Sequence, residues 1–159
     1  MTGQIVVDTS AMIAVLFGEE DAADYADTLD VHAGQILLSE VTRFELRVVV
    51  ESKQGARGIT RLDALLDDLE VSWAPVDAEI TRGAIAAWRM YGKGRHPARL
   101  NLGDCFSYAL ARAFDLPLLF KGDDFAQTDV KRVRRFPVMR SAPGHVVTDA
   151  MVAEYRDDE

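Results

Sequence analysis

The sequence predicts an α/β fold: a central, mostly parallel twisted sheet of four to five short strands, flanked by helices. Short apolar runs recur along the chain, at Ile5-Val6-Val7, Gln35-Ile36-Leu37-Leu38, Val71 to Pro75 and Leu116 to Phe120. Stretches with apolar residues at helical spacing separate them, and such alternation favours a parallel sheet covered by helices. The 159 residues, 48% of them hydrophobic, suffice for one domain with a real core.

Taken in order, Ile5 to Val7 is a buried strand ending at Asp8. Thr9 or Ser10 can cap the next helix, which carries Met12, Ile13, Val15, Leu16 and Phe17 and stops at Gly18. Glu19 to Leu29, with Ala22, Ala23, Tyr25, Ala26 and Leu29 at roughly helical spacing, reads as an amphipathic helix. After the second strand, Ser39 caps a helix from Glu40 to about Lys53. Val48-Val49-Val50 suits a strand locally, but the length and the cap favour helix, with Val41, Phe44, Leu46, Val48 and Val49 packing inward. Gln54-Gly55 is a break, and Ile59 to Leu69 is another helix with Leu62, Leu65, Leu66 and Leu69 as its seam.

Beyond the third strand, Asp77 caps a helix through Ile80, Ala84, Ile85, Ala87 and Trp88, ending near Tyr91-Gly92. Lys93 to Arg99 is a basic loop with Gly and Pro, expected to be mobile. Asn101 is a good N-cap for a buried helix to about Phe114. Its apolar face is Leu102, Cys105, Phe106, Ala109, Leu110 and Ala113, and Asp104 falls in the first turn, where the helix dipole favours a carboxylate. Lys121 to Phe125 is the turn after the fourth strand, and Val138-Met139 is a last edge strand. Residues 1–142 form one domain; residues 143–159 are an extension, read as a helix or a flexible acidic tail.

No apolar run approaches the about 20 residues of a membrane span, and the N-terminus lacks the features of a signal peptide. A cytoplasmic protein is the simplest reading. The single cysteine, Cys105, forms no internal disulfide and reads as a buried small hydrophobe; one Cys and three His argue against structural zinc. The net charge of −8 speaks against a nucleic-acid partner, but its distribution qualifies that. From Ile80 to Gly103 there is no acidic residue, while Arg82, Arg89, Lys93, Arg95 and Arg99 are basic; Lys131, Arg132, Arg134 and Arg135 form a second cluster.

In open parallel sheets the ligand sits beyond the carboxyl ends of the strands. That edge collects Asp8, Asp104 and Asp123 or Asp124, with Glu45 about two turns into the helix after the second strand. Carboxylates at close range repel, and each pKa rises unless a cation neutralises them. Oxygen-rich sites of this kind suit Mg²⁺ or Mn²⁺, which polarise a phosphoryl oxygen and lower the pKa of bound water. An acidic metal pocket rimmed by Arg and Lys is what phosphodiester hydrolysis needs.

Four segments then resemble one family. Val6-Val7-Asp8-Thr9-Ser10-Ala11, Ser39-Glu40-Val41-Thr42-Arg43-Phe44-Glu45-Leu46, Leu100 to Ala111 around Gly103-Asp104, and Leu118 to Phe125 resemble the motifs of PIN-domain ribonucleases, above all the VapC toxins of type II toxin–antitoxin modules. The resemblance covers about residues 4 to 140 and implies a PIN-like nuclease domain over residues 1–142. It implies Asp8 and Asp104 as direct Mg²⁺ ligands, with Mn²⁺ able to substitute, and Glu45 as an outer acidic residue acting through water or a second metal. Many relatives have a separated Asp where this chain has Gly122 and two adjacent aspartates; Asp124, just before Phe125, is preferred as the fourth acid, with Asp123 as the alternate. Thr9 or Ser10 would hold the pocket or a phosphate. The implied reaction is RNA cleavage leaving a 5′-phosphate and a 3′-hydroxyl. A VapB-like antitoxin and a homodimer are the implied partners.

Arg43 and Arg47 flank Glu45 and suit either substrate phosphates or neighbouring acids. Lys93, Arg95, His96 and Arg99 suit RNA backbone contact, as a solvated loop also would; His96 is not needed as a base where a metal activates water. Trp73 and Trp88 read as core or interface. Lys121 either orients a carboxylate, touches phosphate or is a surface lysine. Two other functions stay open on the residues alone. A dehalogenase-like phosphatase also places Asp at the first strand end, but Ser10 stands where its second Asp belongs. A non-catalytic module could use the pocket only for a cation or peptide.

Overall fold

The computed structural model describes residues 3–135. The elements are β1 (Ile5–Val7), α1 (Thr9–Leu16), α2 (Ala22–Val31), β2 (Ile36–Ser39), α3 (Glu40–Asp68), β3 (Ser72–Ala74), α4 (Ala78–Tyr91), α5 (Leu102–Ala113) and β4 (Leu118–Leu119), then a 3₁₀ turn at Phe125–Gln127. The four strands form one parallel sheet in the order β3-β2-β1-β4. Val138-Met139 and the extension 143–159 lie outside the described residues.

The period-2 alternation of the strands divides the interior into two cores. Ile5, Val7, Ile36, Leu38 and Leu119 face α1, α2 and α3, with Met12, Tyr25, Leu29, Leu46 and Leu62. Val6, Leu37, Leu118 and Phe120 face α4 and α5, with Ile80, Ala84, Tyr108 and Leu110. Burial on both faces of β1, β2 and β4 is why those strands read as continuous apolar runs; the edge strand β3 exposes Ser72. All four carboxyl ends therefore point to one edge.

Several expectations are corrected. The cap of α1 is Asp8, not Thr9 or Ser10: its backbone is extended and its carboxylate accepts the Ser10 N–H. On α3 the inward line is Thr42, Leu46 and Val50, one turn apart. Phe44 and Val48 sit two residues either side of Leu46, about 200° around the helix, and both are exposed. Gly55, at φ 59°, divides α3 into the two helices the sequence suggests. Leu102 and Ala113, expected on the apolar face of α5, are exposed; that helix buries Gly103, Cys105, Ser107, Tyr108, Ala109, Leu110 and Ala111 instead. Trp88 is surface-exposed rather than core, with the Arg95 guanidinium 4.0 Å above its ring. The Lys93–Arg99 segment is a closed turn: Lys93 N–H bonds Leu100 O, Leu100 N–H bonds Tyr91 O, and Ala98 is buried.

Candidate active site

Asp8 leaves the end of β1 with 3% of its surface exposed, and each of its oxygens has a donor. Oδ2 accepts the Ser10 N–H at 3.0 Å and the Ser10 hydroxyl at 2.7 Å; Oδ1 accepts the Ser107 hydroxyl at 2.7 Å. The Ser10 oxygen in turn accepts the Lys121 N–H at 3.0 Å, tying the turn after β4 to the same group. Asp8 is thus a buried carboxyl group fixed by amide and hydroxyl donors from α1 and α5.

Asp104 sits three residues into α5, in a reciprocal capping box. The Asn101 side chain accepts the Asp104 N–H, and the Asp104 carboxylate accepts the Asn101 N–H, both at 2.9 Å. The expected cap and first-turn carboxylate are both present. Burial, then the Asp8 charge, push its pKa to about 7; Asp124 and Glu45 add to the rise, while the Asn101 N–H opposes it. Of the adjacent pair in the last turn, Asp124 is among the groups that raise Asp104.

Glu45 reaches the same region from α3. Its Oε1 accepts the Thr9 hydroxyl at 2.9 Å. Burial raises its pKa, Thr9 opposes the rise and Asp8 adds to it. These mutual effects draw Asp8, Glu45, Asp104 and Asp124 into one electrostatic unit. Among the described residues none of them forms an ion pair with Lys, Arg or His.

The other named residues stand apart from this unit. Arg43 pairs with Glu40 at 2.8 Å and lies 3.9 Å over the Trp73 ring, and Arg47 pairs with Asp63. Lys121 is bound by Glu19 and Asp21. Lys93, Arg95 and Arg99 are exposed, and none makes an ion pair among the described residues. His96 Nδ1 accepts the Ala98 N–H and shapes the loop. Two residues that sequence reasoning passed over belong to the site. Ser107 was a polar residue on a buried stripe, and Gly103 a glycine inside a helical first turn; those oddities were the available signals.

The donor set fits a hard divalent cation. Its members are carboxylates, Asp8 buried, Glu45 and Asp104 half-buried and Asp124 exposed, none with a basic partner among the described residues, so a cation relieves the repulsion that raises Asp104 and Glu45. No three His, Cys, Asp or Glu side chains among the described residues close into a cage of their own.

The comparisons agree with this geometry. A family model described as PIN domain matches residues 5–131. Ribonuclease VapC30 of Mycobacterium tuberculosis is 45% identical over 130 residues, covering 81% of this chain and 98% of the relative. Ribonuclease VapC of Mycolicibacterium smegmatis is 43% identical over 129 residues, covering 81% and 99%. Among solved structures, Mycobacterium tuberculosis VapC20, described as a sarcin–ricin loop cleaving toxin, superposes with a TM-score of 0.67 at 20% identity, over 82% of this chain and 99% of that one. DNA-bound VapBC of Salmonella typhimurium does so at 0.65 and 14% identity, over 84% and 98%; these two speak for the fold alone. The dehalogenase-like reading is thereby displaced. With a four-stranded parallel sheet, an acidic edge and a match along most of its length, the chain belongs to the PIN-domain family, among the VapC ribonucleases.

Proposed function

We propose that this chain is a Mg²⁺-dependent endoribonuclease and the toxin of a VapBC pair, acting in the cytoplasm and neutralised by a VapB-like antitoxin. The observation that carries the metal dependence is the group of carboxylates on the strand-end edge, with Asp104 pushed to about 7 and no basic partner among the described residues. VapBC complexes that share this fold are consistent with an antitoxin partner.

Asp8 and Asp104 would hold the ion directly. Glu45 would act through water, and Asp124 would complete the acidic edge, with Asp123 as the alternate. A bound Mg²⁺ or Mn²⁺ supplies Lewis acidity toward water and a phosphoryl oxygen. The chain supplies the positioning: Ser107 and Ser10 fix both oxygens of Asp8, Thr9 aims Glu45, and Asn101 holds Asp104. Lys93, Arg95 and Arg99, exposed and without an ion-pair partner among the described residues, would neutralise flanking phosphates; Arg43 and Arg47 already have acidic partners. Exposed Ile85, Trp88 and Leu102 along the α4–α5 groove support the expected homodimer.

The test is digestion of cellular RNA by the purified protein with Mg²⁺, Mn²⁺ or EDTA, with both fragment ends mapped. Cleavage with either ion, none in EDTA, and 5′-phosphate with 3′-hydroxyl ends are expected. Cleavage that survives EDTA, or 2′,3′-cyclic phosphate ends, would overturn the metal-dependent mechanism.

A further inference from the structure

We propose that Gly103 is a positioning residue for this reaction: its missing side chain is what seats the Glu45 carboxylate against the first turn of α5. The proposal rests on the metal-dependent reading above. A Cβ built at position 103 collides with Cδ, Oε1 and Oε2 of Glu45 together. No other described glycine has a site carboxylate as its obstacle. Gly83 faces Ala109 across the α4–α5 packing, and Gly58 and Gly92 face side chains or backbone of their own helices.

Backbone conformation does not account for the glycine. Gly103 is not among the residues with positive φ, and it lies inside a helix, where glycine is the poorest choice apart from proline. The helix start is already secured by Asn101 and Asp104. The carboxylate it admits also accepts the Thr9 hydroxyl through Oε1. Glu45 therefore touches both Thr9 of α1 and the bare first turn of α5, one residue from Asp104. An added methyl displaces the end of a flexible side chain rather than backbone, so the fold survives while the carboxylate moves. A displacement of about 1 Å in such a constellation costs about 100-fold in rate.

The test uses the full chain and four forms: wild type, Gly103→Ala, Glu45→Ala and the double variant. Each is melted, titrated with Mg²⁺ calorimetrically from the metal-free state, and assayed for Mg²⁺-dependent RNA cleavage. G103A is expected to melt at the wild-type temperature or a few degrees above it. Its Mg²⁺ affinity should fall about 10-fold and its cleavage about 100-fold. In the Glu45→Ala background the same glycine change should cost nothing further in either measurement. Wild-type affinity and cleavage in G103A would overturn the proposal, as would an equal loss in both backgrounds or a sharp drop in melting temperature, which would make the glycine a packing residue. The wild-type arm reports separately on the function itself: if it fails to cleave with Mg²⁺, the ribonuclease reading falls whatever G103A does.

Discussion

Replacing Asp104 by Asn should stabilise the metal-free protein while destroying its activity. The carboxyl rises from 3.8 to about 7, chiefly through burial and then through the Asp8 charge. A folded-state pKa above the unfolded one means the folded chain holds the proton more tightly, so stability falls as pH rises from about 4 to 7. Above pH 7 the full cost of the buried charge is borne, with a ceiling of about 4 kcal/mol for a shift of this size. Asn keeps an oxygen for the Asn101 N–H and removes the charge. Metal-free D104N should therefore melt above wild type at pH 8, by up to about 8–16 °C for a chain of this size. The gain should shrink steadily below pH 7 and vanish below about pH 4. Melting curves from pH 4 to 8 in EDTA measure it directly. A gain that does not change with pH, or no gain at pH 8, would refute the electrostatic picture of the site. With saturating Mg²⁺ the wild type should recover the difference, because the ion stabilises the state that binds it.

Three further outcomes follow from the same geometry. Ser107→Ala removes the donor to Oδ1 of buried Asp8 and should cost about 2 kcal/mol in urea unfolding, with weakened Mg²⁺ binding. Cys105, whose thiol is pushed to about 11 by burial and then by the Asp104 charge, should resist alkylation at pH 8 in the native protein and react once unfolded. Replacing Lys93, Arg95 and Arg99 by Ala should raise the KM for RNA and flatten its salt dependence, with kcat little changed, as measured by cleavage between low and moderate salt.

β1, β2 and β4 were legible because burial on both faces leaves uninterrupted apolar runs, and the parallel order places every carboxyl end on one edge. The start of α5 was legible because Asn101 and Asp104 form a purely local cap. Orientation on α3 was not. With apolar residues at 41, 44, 46, 48, 49 and 50, the pattern offers more than one face, and only contact with the sheet selects Thr42, Leu46 and Val50. Asp8 was readable as the end of a strand, but its second role as cap of α1 depends on a backbone turn that spacing does not reveal. Ser107 and Gly103 escaped for a different reason. Their partners, Asp8 and Glu45, are distant in sequence, and a short polar or absent side chain in a helix carries no periodic signal. Arg43 and Arg47 suited either phosphates or neighbouring acids, and the structure gives both acids: Glu40 three residues before Arg43, and Asp63 on the helix beyond Gly55 for Arg47.

The central claim is that the carboxylates gathered around Asp8 bind the divalent ion on which RNA cleavage depends. The most direct measurement is cleavage rate against Mg²⁺ concentration for wild type and Asp8→Asn, with folding of both verified by their melting curves. The account predicts a saturable Mg²⁺ dependence in wild type and a loss of at least about 100-fold in folded D8N. Folded D8N cleaving at the wild-type rate, or wild type cleaving equally well without the ion, would contradict it.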